Sequence, residues 1–339
     1  MKRFFALIVL ILYLVSARPR LNRYTAAFWG SFDTVIVITA YSASQRQFDV
    51  AFEAAVNSFS EADLYYDRFS YSEEIANIAY INRHAAKNAV KVEDRLFSLL
   101  RYGKSGAERT NGLVDMTFGA VSSIWYDEIK KGSMARLPNY EVLKKAEQNT
   151  GIEKLNLIET HKTIKFSSSG MMIDAGAFAK GFAVQEAADI LVNAGLNRAA
   201  ISGGGNIKVL DPPDGKTKWS IGIQNPDAAV MSKEGSIETV YIRGMSVATS
   251  GDYQRYFIHE GKRHHHLIDP ETLYPAEHFK SVTVACENAA DADLFSTALF
   301  LCDIDTGKAL AEKEGLAVMW IKNSGEAVTN DKMKKLATK

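Results

Sequence analysis

The chain has 339 residues, 47% of them hydrophobic and 24% charged, with 40 Lys+Arg balanced by 40 Asp+Glu for a formal net charge of zero. This is the composition of a soluble globular protein with ample core, and its charge balance argues against a protein that coats nucleic acid or binds an acidic partner. No internal repeat, low-complexity tract or linker divides the chain. One α+β domain with a mixed, largely antiparallel sheet and flanking helices is the simplest account.

At the start, Lys2 and Arg3 precede an uncharged run over 4–17, and Val15-Ser16-Ala17 offers small residues for cleavage. A basic start followed by a short apolar segment predicts an export signal. The run falls short of the ~20 residues of a spanning helix. Arg18, Pro19, Arg20 and Arg23 follow at once, so an uncleaved membrane tether is the alternative. The domain is bounded at 24–330, with the signal or anchor over 1–23 before it and a polar, frayed tail over 331–339 after it. The expected location is the periplasm or the outer face of the cytoplasmic membrane.

Residues 33–43 are mostly β-branched and read as a strand. Phe52, Ala55, Phe59 and Ala62 share one face of a helix over 48–66, and Leu96, Leu99 and Leu100 do so in a helix over 93–106. The stretch 130–137 reads as a surface loop, and 139–149 as a polar helix. An apolar run over 170–173 ends at Asp174. A turn of small residues then leads into a helix that stops near Gly195, where glycine suits the left-handed cap. Short strands follow at 199–202, 206–210, 219–224, 239–243 and 246–249. Glu260-Gly261 marks a hairpin between 253–258 and 264–268. A β-rich run over 281–286, a helix over 290–303 and a closing strand over 316–321 complete the pattern. Cys286 and Cys302, the only cysteines, lie in apolar contexts and read as buried free thiols.

Four places could carry chemistry. Asp174 and Lys180 flank a turn at a helix start, where backbone N–H groups and the helix dipole favour an anion; a strand–turn–helix with a capping Asp explains them equally well. Asp293 and Thr297 lie four apart on one helix face, a pairing that suits a hard cation such as Mg²⁺. The alternative is that Asp291 caps the helix and Asp293 complements its dipole. In His264-His265-His266, strand alternation lets at most two histidines share a metal, and one inward histidine acting as a proton acceptor is the more economical reading. Gly203-Gly204-Gly205-Asn206 lacks the Gly-Lys-Ser/Thr ending of a Walker loop and precedes a strand, so close backbone approach is its expected use.

Taken in order, these stretches resemble the ApbE-type FAD:protein FMN transferases. The resemblance rests on Gly112-Leu113-Val114-Asp115-Met116-Thr117, then on Asp174 through Gly181 with its helix and Ser202-Gly203-Gly204-Gly205-Asn206. It continues with Ala248-Thr249-Ser250-Gly251-Asp252-Tyr253 and His266-Leu267-Ile268-Asp269-Pro270. It ends with Ser281-Val282-Thr283-Val284 followed by Ala292-Asp293 and Thr297-Ala298, so that it spans most of residues 30–325.

The resemblance implies that FAD is the substrate, bound with Mg²⁺. Asp174 and Lys180 would contact FAD, and Leu113, Val114 and Asp115 would line its adenine end. Phe69 would stack on the cofactor, and Phe32 and Ile268 would complete the flavin site. The backbone oxygen of Ala177, with Asp293 and Thr297, would ligate the metal, and His266 would be the base. The implied reaction is transfer of FMN to a Thr or Ser hydroxyl of a target protein, with release of AMP. Targets would carry an Asp-…-Thr/Ser-Gly-Ala-Thr/Ser sequence in a membrane redox complex. Hydrolysis of FAD to FMN and AMP on the same metal site is one alternative, and an exported flavin-binding protein without catalysis is another. Two departures stand out: Phe32-Asp33-Thr34 where the family has Met-Gly-Thr, and Leu273 where a glycine usually follows Thr272.

Overall fold

The computed structural model describes residues 21–228, 232 and 234–338. The chain opens with a long hairpin, β1 (Asn22–Ser31) and β2 (Thr34–Ser42). Then come α1 (Gln45–Tyr66), α2 (Ile78–His84), β3 (Val90–Lys91), α3 (Asp94–Arg109), α4 (Gly119–Lys131), α5 (Tyr140–Glu147), β4 (Leu155–Ile158) and β5 (Thr163–Phe166). The middle of the chain holds α6 (Ala179–Asn193), β6 (Ala199–Gly203), β7 (Asn206–Val209), β8 (Trp219–Gln224), β9 (Ser236–Ile242) and β10 (Ser246–Gly251). A small hairpin, β11 (Tyr256–His259) and β12 (Lys262–His265), precedes β13 (Phe279–Cys286), α7 (Ala289–Phe300), α8 (Ile304–Lys313), β14 (Ala317–Lys322), β15 (Ala327–Thr329) and α9 (Asp331–Leu336).

Eight strands form the main sheet in the order β1-β2-β6-β7-β10-β13-β14-β15, and every ladder in it is antiparallel. Among the described residues, the one parallel pairing is an isolated bridge between Phe118 and Met172. Helices α1, α6 and α7 cover one face. Their buried Phe48, Phe59, Leu191, Phe295 and Leu299 share a core with Ile36, Ile38, Val282 and Val284 of the sheet. The hairpin β8–β9 and helix α9 cover the other face, where Ile223, Val240 and Met333 meet Val247, Ala285 and Met319. Because β13 lies between covered faces, six of its eight residues are buried, and its sequence lacks the polar alternation of a half-exposed strand.

α7 is apolar almost all round, and eleven of its twelve residues are buried. Close approach of α6 explains a glycine there. A Cβ on Gly181 would collide with the Ala289 carbonyl oxygen and come within 2.6 Å of the Asp293 Cβ. The run Gly203-Gly204-Gly205-Asn206 is the two-residue turn of the β6–β7 hairpin, with Gly204 and Gly205 at φ +56° and +91°.

The expected α+β class with a largely antiparallel sheet is borne out, and both cysteines are free thiols, Cys302 buried and Cys286 half-buried. Three expectations are corrected. The folded domain begins before 24, because Asn22 and Arg23 already pair with Ser42 and Tyr41. Residues 331–336 are no frayed tail: Asn330 caps α9, and Met333 at its centre is fully buried. The helix α4 runs to Lys131, into the stretch read as a loop from 130. The apolar run over 4–17 lies outside the described residues, and no helix among those described is long and apolar enough to cross a membrane.

Candidate active site

The buried α7 carries two acids. Asp291 is fully partnered: Arg109 binds it at 2.7 and 3.2 Å, and the Tyr102 hydroxyl donates to it at 2.7 Å. Asn288, not Asp291, caps the helix. Asp293 is buried at 6% exposure; it accepts the Gly181 N–H at 2.8 Å and a side-chain bond from Asn206, with the Lys180 ammonium 3.9 Å away. Burial holds its carboxyl above the usual range, although Lys180, Gly181 and Asn206 pull the other way. One turn on, Thr297 joins a cluster of buried hydroxyls, 3.1 Å from Ser250 Oγ, which lies 2.8 Å from Ser296 Oγ.

Asp174 sits at the other edge of the α6 start, on a tightly held backbone. The Asn82 side chain clamps both peptide groups of Ile173, at 2.6 and 3.0 Å, and the Asp174 N–H donates to the Met116 carbonyl at 2.7 Å. The Asp174 carboxylate is paired with Arg68 at 2.9 Å and accepts Ser122 Oγ at 2.7 Å and the Gly176 N–H at 2.9 Å. Burial alone would raise its pKa, but Arg68, Ser122 and Gly176 together bring it below the ordinary carboxylate value. Arg68 also bonds Ser122 at 2.9 Å, and its guanidinium carbon lies 4.7 Å from the centre of the Phe69 ring. Phe69, half-exposed, stacks on Tyr126 at 4.4 Å, and Lys130 stands beside both rings.

Three adjacent histidines have three different environments. His264 belongs to a cluster of three mutually stacked rings, 6.3 Å from Trp125 and 5.3 Å from Phe257, which are themselves 6.4 Å apart. His265 has both ring nitrogens occupied: Nε2 donates to the Ala276 carbonyl at 2.9 Å, and Nδ1 accepts the Leu267 N–H at 3.2 Å. His266 places Nδ1 3.3 Å from the Arg255 carbonyl. A carbonyl cannot donate, so Nδ1 carries the proton and Nε2 is the acceptor. No partner of that Nε2 is found among the described residues. Burial, with Arg255 and His265 adding to it, pushes the His266 pKa down to about 3, so the ring is neutral at physiological pH. His266 acts electrostatically on Asp174, Lys180 on His266, and Lys180 on Asp293, which puts the four groups in one neighbourhood.

The remaining expected site residues are placed less directly. Val114 and Ile268 are buried in apolar clusters at 6% and 5% exposure, so only their backbones can face a ligand. Leu113 packs partly against the core, and Asp115 closes a local turn by accepting the Thr117 N–H and hydroxyl at 2.8 and 2.7 Å. Phe32 and Asp33 form the β1–β2 turn in the left-handed region, at φ +55° and +52°, and Asp63 holds the Phe32 N–H at 2.8 Å. Leu273 also keeps a left-handed bend, at φ +64°, with its side chain fully buried beside Trp125 and its carbonyl accepting the Trp125 indole N–H at 2.9 Å. Ala177 lies in the turn before α6. Arg68, Ser122, Asn82 and Tyr126 leave no local signal in the sequence, because their partners are far away in the chain.

A separate cavity of about 440 Å³ opens on the Asp291 side of α7, lined by Cys286, Asn288, Asp291, Glu314 and Lys332. Two of its acids, Asp291 on α7 and Glu314 just past the end of α8, are already bound by Arg109, and none of the expected site residues lines it. The Asp293 side is the one with open valences.

Residues 32–320 match the model of the ApbE family. An FAD:protein FMN transferase of Klebsiella pneumoniae is 27% identical over 311 residues, which cover 91% of this chain and 92% of that protein. One from Treponema pallidum is 29% identical over 71% of this chain and 69% of its own length. Among solved structures, an ApbE protein of Thermotoga maritima matches with a TM-score of 0.82 at 27% identity, covering 94% of this chain and all of that one. The flavinyl transferase ApbE of Pseudomonas stutzeri in its apo form, at 23% identity and a TM-score of 0.77 over 94% and 97% of the two chains, shares the fold.

Proposed function

The chain belongs to the ApbE family, and on that premise we propose that it transfers the FMN half of FAD to a Thr or Ser hydroxyl of a target protein, releasing AMP. The observation that carries the reading is the meeting of a buried, under-partnered Asp293, the Lys180 ammonium and a neutral His266 with an open Nε2. Structural carboxylates are paired, as Asp291 is, whereas this one keeps coordination capacity in a dry site. The names of the relatives from Klebsiella pneumoniae and Treponema pallidum support the same activity.

The donor set fits a hard divalent cation. Asp293 and Thr297 offer oxygen on one helix face, and burial opposes an uncompensated charge at Asp293. Asp293, Thr297 and the Ala177 carbonyl would hold Mg²⁺, which supplies neutralisation of the pyrophosphate charge when bound. Lys180 adds a second positive charge beside it. Asp174, paired with Arg68, shapes the α6 turn and the approach to Phe69, on which a flat ring system can stack.

In the chemical step His266 Nε2 takes the proton of the acceptor hydroxyl, and the hydroxyl oxygen bonds to the FMN-side phosphorus. The bond from that phosphorus to the bridging oxygen breaks, and its electron pair leaves on AMP. Arg255 and Lys180 both depress the His266 pKa, so an anionic ligand that offsets them raises its basicity when substrate is present.

The basic start and the apolar run over 4–17 support export, with the protein working in the periplasm or tethered to the outer face of the cytoplasmic membrane, near a redox complex that carries the acceptor. One experiment tests the activity. The protein is incubated with FAD, Mg²⁺ and a domain bearing the Asp-…-Thr/Ser-Gly-Ala-Thr/Ser sequence, and intact masses are taken. FMN on the acceptor is the expected result; free FMN and AMP with an unmodified acceptor would make it a pyrophosphatase, and unchanged FAD a binding protein.

A further inference from the structure

Resting on the cation site proposed above, we infer that Ser250 and Ser296 form a proton-ordered hydroxyl chain that fixes Thr297 Oγ1 as an acceptor toward the cation. The order follows from the end that cannot donate. Ser296 Oγ lies 2.9 Å from the Asp293 carbonyl oxygen and donates its single proton there. In its 2.8 Å contact with Ser250, Ser296 must therefore accept, and Ser250 donates. Ser250 then has no proton for Thr297, 3.1 Å away, so Thr297 donates to Ser250. The sequence of donors runs from Thr297 to Ser250 to Ser296 to the Asp293 carbonyl.

The consequence concerns charge. A threonine hydroxyl ligates a cation through a lone pair, and a proton turned toward the metal would oppose binding. Here that proton is directed into the protein, and the lone pairs of Thr297 remain. All three hydroxyls are buried, at 8%, 0% and 9% exposure for Ser250, Ser296 and Thr297, so bulk water does not reorder them. The chain also ends on the main chain of Asp293, whose carboxylate is the other helix-borne ligand. Strand β10 thereby orients a ligand on α7, and Ser250 is a positioning residue.

The test uses Mn²⁺ as probe, titrated into the full chain with FAD present and acceptor absent, with free Mn²⁺ read by electron paramagnetic resonance. Removing a partner that orients a metal ligand commonly weakens metal binding about 10- to 100-fold. Ser250→Ala should show a loss of that size. Ser296→Ala removes a hydroxyl that bonds Ser250 and the Asp293 carbonyl, not Thr297 Oγ1, and should weaken binding by a smaller factor. In a Thr297→Val background, Ser250→Ala should add nothing, because the group it orients is gone. Mn²⁺ bound equally by wild type and Ser250→Ala, or losses that simply multiply in the double variant, would overturn the chain while leaving the cation site standing. A wild type that binds no Mn²⁺ would remove the site itself. If Ser250→Ala does not fold, Ser296→Ala decides: unchanged affinity refutes the order.

Discussion

Asp291 and Asp293 are two residues apart on one helix, and the fold treats them in opposite ways. Asp291 faces α3 and is bound by Arg109 and Tyr102, in a network that also holds Glu314. Asp293 faces the start of α6, where its nearest cation stays 3.9 Å away and burial works against its charge. The first ties helices together; the second is held ready for something else. His265 and His266 repeat the contrast where the small hairpin ends, one with both ring nitrogens occupied and the other with Nε2 open. Residue type and position in the chain are nearly identical within each pair. Duty follows from which face of the element a side chain leaves on, and so from what packs against that face.

The largest expected effect breaks the acid pair apart. Asp293→Asn should lower turnover about a thousandfold or more, since several kcal/mol of charge stabilisation goes with the ligand. The same variant should be as stable as wild type or more so, because the fold disfavours the charged form at that position. Activity and urea unfolding measured on one preparation would show it; a variant that loses stability and activity together would make Asp293 a second Asp291.

Among the histidines, His266→Gln should cost about 10²- to 10⁴-fold in turnover, the usual contribution of a general base. His265→Gln should leave turnover within a few-fold and lower stability at pH 8 by about 1–2 kcal/mol through its two hydrogen bonds. Their pH signature is shared. Folded pKa values pushed down to about 3 and about 4 lie below the ~6.5 of an unfolded histidine. Below pH 6.5 the unfolded chain takes up protons that the folded one refuses, so stability falls as pH drops toward 4. Either substitution should flatten that fall by one proton in unfolding curves taken from pH 8 to pH 4; an unaltered slope would show that the ring was not held neutral.

Asp291→Asn should lower stability by about 2 kcal/mol by leaving Arg109 and Tyr102 under-partnered, with turnover kept within a few-fold. A loss of turnover as large as that of Asp293→Asn would erase the contrast.

Effects on stability alone come from two of the non-glycine residues in left-handed conformations, Asp33 and Leu273. Asp33 is exposed, so Asp33→Gly relieves strain and should stabilise by about 0.5 kcal/mol. Leu273 has the same sign of φ but a buried side chain, so Leu273→Gly should destabilise by about 2 kcal/mol. Thermal unfolding of the two variants checks the opposite signs.

Legibility in the sequence divides along the same physical line. Helices α1, α3, α6 and α7 announce themselves because one apolar face repeats at helical spacing, and β10 and β13 because their β-branched runs are bounded by turns. Helix α4 leaves no such signal: its Ser122, Ser123 and Asp127 interrupt the stripe, and no residue after Trp125 at its midpoint is buried. The ten-residue β1 escapes a local reading because its inward residues, the half-buried Tyr24, Ala26 and Phe28, pack on residues remote in pattern, the two rings against Phe48, Phe52 and Phe59 of α1. The Asp293–Thr297 pair was visible because both ligands ride one helix. Asp174 is legible at its turn, but its partners Arg68 and Ser122 are not, since Ser122 lies 52 residues from Asp174 and 54 from Arg68 and no local pattern records such a meeting. At Leu273, where the family usually has glycine, the bend is kept because Trp125 grips the carbonyl and the core accepts the side chain.

The absent side chain of Gly181 sets a tolerance for the whole centre. The two helices that carry Lys180 and Asp293 rest against each other at that point with no material between them, so the gap between ammonium and carboxylate is decided by a hydrogen atom. One added methyl group would act there as a shim: it would spread the helices, and charges never themselves altered would drift out of register.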